Sequence, residues 1–251
     1  MRSKSKQKGV FIVFDGIDGS GKSTQSNLLV RDLRRRGFDV VQMDFPQYGT
    51  KAAGLIEEYL NGVFGSAESV GPYRASVFFA CDRYAASFKI RAALAEGKIV
   101  VSDRYIASNI GHQGGKIADV RERRRFIRWL FDFEYGLFGI PRPDVTLILK
   151  TTPQLSWKMA PQVSDKIKKA KRAACLGTRK RDIHDRDISH LARALDSYLF
   201  AARQFPKEFR VVECMDGGRL LSIEDVWKRV QSTLRSVPAL RSRFRDRGMK
   251  R

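Results

Sequence analysis

Cysteine is scarce in this 251-residue chain: Cys81, Cys175 and Cys214 are odd in number and far apart. That leaves neither a disulfide framework nor a paired-ligand spacing for a structural metal, and the expected location is a reducing cytoplasm. Long apolar runs are missing too. The run Val10 to Phe14 is cut by Asp15 and a glycine-rich turn, too early for a secretory leader, and no other run approaches a membrane span. Acidic residues are few, 27 against 48 Lys and Arg, for a formal charge of +21. Such a chain attracts phosphates, nucleic acid or anionic surfaces. The excess lies in a basic arm (residues 1–8), an arginine-rich segment (Arg121 to Arg128), the stretch Lys166 to Arg181 and the tail beyond Arg241, and most of it reads as solvated surface. Internal repeats are also absent.

What is present is a 43% hydrophobic content, enough to bury one full core. The apolar residues of Val10 to Phe14 run without alternation, as in a parallel strand buried on both faces. A glycine-rich segment follows, then Leu28, Leu29 and Leu33 at helical spacing, with a stop at Gly37. Further strands are predicted at Phe38 to Met43, Ile99 to Val101, Val145 to Leu149 and Arg210 to Glu213. Helices are predicted through Leu55 to Leu60, Pro72 to Glu96, Val120 to Gly136 and Leu191 to Arg203. Five strands alternating with helices predict an α/β fold, a doubly wound five-stranded parallel sheet. One domain is expected over residues 9–235. Its basic, polar stretch at roughly 160–186 reads as a mobile lid, and 236–251 as a poorly ordered basic tail.

The segment from Gly16 through Ile17, Asp18, Gly19, Ser20, Gly21 and Lys22 to Ser23 fits G-x-x-x-x-G-K-[ST] between a predicted strand and a predicted helix, and together with Thr24 it is the expected ATP-binding loop. Glycines at those places let backbone N–H groups wrap phosphates. Lys22 can reach the β and γ oxygens of ATP, and the Ser23 hydroxyl can hold Mg²⁺. In an open α/β sheet the ligand crevice lies outside the carboxyl ends of the strands, where the polar motifs at residues 16, 46 and 103 fall.

A phosphate-binding loop alone does not choose among kinases, GTPases and helicase-type ATPases. Phe14 to Gln25, the turn Phe45-Pro46, the helical segment Phe79-Ala80-Cys81-Asp82-Arg83, and Asp103-Arg104-Tyr105 with Ser108 and Gln113 occur in one order. Together they resemble the thymidylate kinase family of P-loop nucleoside-monophosphate kinases. Phe79 and Arg83 are four apart, so a helix places them on one face: a ring for a base to stack on and a guanidinium for a phosphate. The alternative is a core phenylalanine and an arginine paired with a carboxylate. Arg104 at a strand end suits a phosphate clamp, and Asp103 suits a metal or the orientation of Arg104. The resemblance implies that Asp18 meets the acceptor's sugar or its phosphate-binding arginine. The predicted acceptor site comprises Asp18, Phe45, Tyr48, Phe79, Arg83, Arg104, Ser108, His112 and Gln113. Asp15 is expected to fix the loop or the metal shell.

Gly19 stands where some family members carry a catalytic arginine, so the resemblance implies a lid arginine instead. Arg172, Arg179, Lys180 and Arg181 are the candidates, with Arg179 and Arg181 placed in the catalytic set. The chain departs from the family's usual pattern at Gly111, His112 and Met159 and in the strand ending Leu149-Lys150-Thr151, which lacks an acidic residue.

The activity expected is transfer of the γ-phosphoryl of ATP to thymidylate, with ATP and Mg²⁺ as cofactors, nucleotides as partners and a homodimer implied by the family. A deoxynucleoside kinase, with Asp15 as base, or another monophosphate kinase remains as an alternative. So does a nucleic-acid-associated ATP-binding module, although aromatics are not interleaved with the basic runs as a single-strand stacking surface requires.

Overall fold

Strands buried on both faces need helices on both sides. The computed structural model, which describes residues 8–160 and 188–241, supplies them by alternation. Strands β1 (Val10–Asp15), β2 (Val40–Asp44), β3 (Ile99–Asp103), β4 (Val145–Lys150) and β5 (Phe209–Glu213) form a parallel sheet in the order β2-β3-β1-β4-β5. The predicted five-stranded α/β sheet is the one observed. In register, Phe14 lies beside Asp103 and Asp15 beside Ile148, so the polar ends of β1, β3 and β4 come out at one level. The expectations for the arm, for the lid beyond residue 160 and for the tail beyond residue 241 lie outside the described residues; so do Cys175, Arg172, Arg179, Lys180 and Arg181.

The helices are α1 (Lys22–Arg35), α2 (Gly54–Leu60), α3 (Ala67–Ala95), α4 (Ile106–His112), α5 (Val120–Phe131), α6 (Pro153–Met159), α7 (Ile188–Gln204) and α8 (Ile223–Ser236). Side chains alternate across each strand. Val10, Ile12 and Phe14 therefore pack with Leu29 and Leu33 of α1 and Val230 and Leu234 of α8, while Phe11 and Val13 pack with Ile90 of α3, Ile110 of α4, Phe126 of α5 and Tyr198 of α7. A smaller cluster joins Ile56, Tyr59 and Leu60 of α2 to Val70 and Ala75 of α3, with Tyr48, Phe78 and Phe79 partly buried against it.

Four boundaries differ from the sequence expectation. Strand β2 starts at Val40 because Phe38 still donates its N–H to Leu33 at the end of α1. Helix α3 begins at Ala67, capped by Ser66, and breaks at Gly71 (φ 75°, ψ 165°) before Pro72 restarts it. Helix α5 ends at Phe131 and continues as a π turn, Asp132–Leu137, whose one buried residue is Glu134. At the C-terminal end the core extends past residue 235. Helix α8 buries a stripe of Val226, Val230 and Leu234, and Val237 and Leu240 beyond it are buried in the same core. A short hairpin, β6 (Met215–Asp216) with β7 (Arg219–Leu220), was not expected; Gly217-Gly218 supplies its turn.

Candidate active site

Residues Gly16 to Gly21 form the connection between β1 and α1, where the helix N-terminus directs unpaired N–H groups outward. Lys22 Nζ donates to the carbonyls of Gly16 (3.0 Å) and Ile17 (2.8 Å) and lies 3.9 Å from Asp18. Burial and the Arg104 charge push its pKa down to about 8, against the opposing pull of Asp18, Asp103 and Asp15. The Ile17 side chain is core, so this residue offers only its backbone. Ser20 Oγ is buried with no hydrogen-bond partner among the described residues, a polar atom suited to a phosphate. Ser23 Oγ donates to Asp103 Oδ2 at 2.5 Å. A hydroxyl and a carboxylate oxygen thus meet at the foot of the loop, the hard-oxygen pair that suits Mg²⁺, which takes its other ligands from water and substrate phosphates. Among the described residues no cluster of three His, Cys, Asp or Glu forms an all-protein metal cage.

Asp15 ends β1 fully buried, with four donors around its carboxylate: Gly16 N (3.0 Å), Tyr105 N (3.2 Å), Ser108 Oγ (2.8 Å) and Tyr198 Oη (2.7 Å). It ties the loop, the β3–α4 junction and α7 together. Arg104 sits beside it with φ 70°, a backbone region costly for a bulky residue and typical of functional sites. Its guanidinium donates to Asp18 and, from Nη1, to Ser108 Oγ (3.3 Å), with His112 Nε2 also 3.3 Å away. Burial disfavours the Arg104 charge, but Asp18, Tyr198, Asp15 and Asp103 outweigh it and raise the pKa.

Because Arg104 has only donors, His112 Nε2 accepts, and its Nδ1–H then donates to His190 Nε2 at 3.2 Å. Both ring nitrogens of His112 are engaged within the protein. The family departure at Gly111 has a steric cause: a Cβ there would come within 2.1 Å of the Tyr198 ring. Gln113 is buried, with Oε1 lacking a partner among the described residues.

On α3, Phe79 is half-buried against Tyr59, with rings edge-on at 6.1 Å. Asp82 accepts the Gln47 N–H at 2.9 Å and so pins the loop of Phe45, Pro46 and Tyr48, whose Phe45-Pro46 bond is cis, against the helix. Phe45 itself is core and tilts against Tyr105 at 5.6 Å. Arg83 departs from expectation. It is 2% exposed and makes two hydrogen bonds to Glu134, Nε to Oε2 at 2.6 Å and Nη2 to Oε1 at 2.7 Å. Burial works against its charge, yet Glu134 more than compensates and raises its pKa. The structure therefore gives Arg83 a buried carboxylate and not an open phosphate grip.

Gly19 packs against the backbone of α6: a Cβ there would lie 2.2 Å from Ser156 O and 3.0 Å from Ala160 N. Position 19 has no room for an arginine in this arrangement. A phosphate-binding loop, a hydroxyl–carboxylate pair and a clamped arginine thus converge at the carboxyl ends of β1 and β3, beside an aromatic-lined helix.

The family model for thymidylate kinase matches residues 14–180. The chain belongs to the thymidylate kinase family. A thymidylate kinase of Bifidobacterium longum is 28% identical over 231 residues, 91% of this chain and 98% of that protein. A probable thymidylate kinase of Thermococcus onnurineus is 31% identical over 223 residues, 86% of this chain and 93% of that protein. The solved thymidylate kinase of Candida albicans superposes with a TM-score of 0.64 at 24% identity, covering 90% of this chain and 91% of that one, a likeness of fold.

As a thymidylate kinase family member the chain is a phosphotransferase acting on nucleotides. Among the described residues no helix is long and apolar enough to cross a membrane. Sequence reasoning missed Glu134, Tyr198 and His190 as site-supporting residues. Their partners lie 51, 183 and 78 positions away, and no local period announces such pairings.

Proposed function

We propose that the chain transfers the γ-phosphoryl of ATP to the 5′-phosphate of thymidylate, giving ADP and the diphosphate, in the cytoplasm. The observation that carries this reading is Arg104, held between Asp18 of the loop after β1 and Ser108 of α4, where its guanidinium would serve both donor and acceptor phosphates. An acceptor that is already a phosphate needs little help from a general base. Catalysis is then positioning and charge stabilisation. Lys22 would leave its loop carbonyls for phosphate oxygens, Ser20 and the loop N–H groups would hold the donor, and Arg104 would exchange Asp18 for phosphate. Phe79 offers a face for the base, and the loop pinned by Asp82 closes that side. Ser23 and Asp103 would hold Mg²⁺, which when bound offsets negative charge on the phosphates. Arg179 and Arg181 remain the proposed lid contributors.

A hydroxyl acceptor is disfavoured because Asp15, its one candidate base, is fully buried among four donors. The decisive assay follows ADP release with ATP and Mg²⁺, offering thymidylate, other monophosphates and thymidine separately. Turnover restricted to thymidylate and lost in Lys22→Ala supports the proposal. A preference for thymidine overturns it.

A homodimer is proposed as well. Phe88 and Tyr84 are 58% and 41% exposed on one face of α3 with rings 5.5 Å apart, and Phe138 continues the strip 5.0 Å from Tyr84. Exposed aromatics grouped in this way mark association surfaces.

A further inference from the structure

Nη1 of Arg104 carries two N–H bonds, and two neutral acceptors on α4 take them: Ser108 Oγ and His112 Nε2, each at 3.3 Å. Nη2 donates to Asp18, the contact that a phosphate would replace. After that exchange the hydrogen bonds to α4 are what keep the guanidinium aimed. Such a bond requires that a lone pair of His112, and not an N–H, face the arginine. For an imidazole that choice is made at the other ring nitrogen, whose partner sets the tautomer. Here the partner is His190, the third residue of α7, which is 6% exposed. Its Nε2 lies 3.2 Å from His112 Nδ1, and since the ring centroids are 5.5 Å apart with planes 23° from parallel, the two rings meet edge to edge. Helix α7 is held in register for this contact. Ser197 Oγ donates to the Ile110 carbonyl at 2.6 Å, Tyr198 stands edge-on to the His112 ring at 6.0 Å, and the backbones approach so closely that a Cβ on Gly115 would lie 2.9 Å from Ala194 N.

We propose that His190 is a positioning residue for phosphoryl transfer: by accepting the Nδ1–H of His112 it keeps the Nε2 lone pair of that ring on Arg104, and so fixes the aim of the guanidinium without neutralising it. This rests on the phosphotransfer reading above. The physical reason is the donor and acceptor count. Arg104 has donors only, so an N–H at His112 Nε2 would set donor against donor and turn the guanidinium away. A carboxylate in the place of His112 would also hold the arginine, but it would offset the charge that the phosphates need. A neutral imidazole avoids this cost, and the acceptor on α7 is what commits the ring to the useful tautomer.

The test compares wild type with His190→Leu, which removes the acceptor, His190→Gln, whose amide oxygen restores one, His112→Leu, and the double variant His112→Leu with His190→Leu. Steady-state turnover is measured with ATP and thymidylate, and the melting point of each variant is recorded. His190→Leu is expected to lower kcat about 10-fold while the KM for ATP stays within about 2-fold, because the donor phosphates are held by the loop and only the aim of Arg104 is lost. His190→Gln is expected to recover kcat to within about 2-fold of wild type, and the double variant to be no more than about 2-fold slower than His112→Leu, since both changes break one chain of contacts. A second readout does not depend on turnover or on any variant's folding: nitrogen-15 spectra of wild type, which has three histidines, at about pH 8, above the ordinary imidazole range. There His112 is expected to carry its proton on Nδ1. A proton on Nε2, a kcat unchanged in His190→Leu, a His190→Gln variant as slow as His190→Leu, or losses that multiply in the double variant would each overturn the proposal. If wild type itself transfers no phosphoryl group to thymidylate, the phosphotransfer reading fails first, and the tautomer still reports separately whether the His112–His190 contact exists.

Discussion

Asp15, at the end of the first strand, accepts a 2.7 Å hydrogen bond from the hydroxyl of Tyr198, 183 positions further along the chain. Burial and the Asp15 charge push the phenol well above its ordinary pKa, so Tyr198 remains a donor at any working pH. Tyr198→Phe removes one of four donors and is expected to cost about 1–2 kcal/mol, or a fall of about 2–8 °C in Tm. Asp15→Ala leaves all four donors without their acceptor and is expected to cost more than twice as much. Thermal denaturation of both variants checks the order; equal losses would show that the carboxylate is not the hub.

Lys22 has its pKa lowered from 10.5 to about 8 by burial and by Arg104. The folded state therefore binds fewer protons than the unfolded state between those values, and stability of the free protein is expected to rise with pH across that window. Phosphates favour the charged form, so ATP binding at pH 8 is expected to take up about half a proton. Calorimetry in buffers of different ionisation enthalpy reads this directly, and Lys22→Met should abolish it. An uptake unchanged in that variant would assign the proton to another group.

Gly19 meets the backbone of Ser156 so closely that even a methyl group must displace α6. Its φ of +83° adds strain for any side chain. Gly19→Ala is expected to lose about 1–3 kcal/mol of stability and to raise the KM for ATP by several-fold. Unchanged melting and kinetics would mean that α6 yields without cost.

The proposed dimer face predicts that Phe88→Glu converts a dimer into a monomer in sedimentation velocity, because the charge would be buried without a partner. Turnover per protomer is expected to persist, since the ring contacts of Phe88, to Tyr84 and Arg91, lie outside the proposed site. A wild-type protein already monomeric at micromolar concentration would remove the proposal.

The sheet was legible because its signals are local. Strands such as Val10 to Phe14, buried on both faces, carry continuous apolar runs, and the loop at Gly16 to Ser23 declares itself through residue types that short backbone geometry demands. Helix α8 was missed although its stripe of Val226, Val230 and Leu234 is plain once seen, and the tail boundary moved with it. Phe79 and Arg83 were correctly placed on one helix face, yet their fates diverged: Phe79 stays half-open while Arg83 is claimed by Glu134.

The amino-acid sequence alone therefore determined the fold class, the phosphate-binding loop and the family, since each follows from spacing within a few residues. Only the tertiary structure decided which charges are available. Arg83 and Arg104 look equivalent as letters, but one is sealed against Glu134 and the other is held at the crevice by Asp18, and that difference arises from carboxylates 51 and 86 positions away. Electrostatic partners are chosen by distance in space, which chain spacing does not encode.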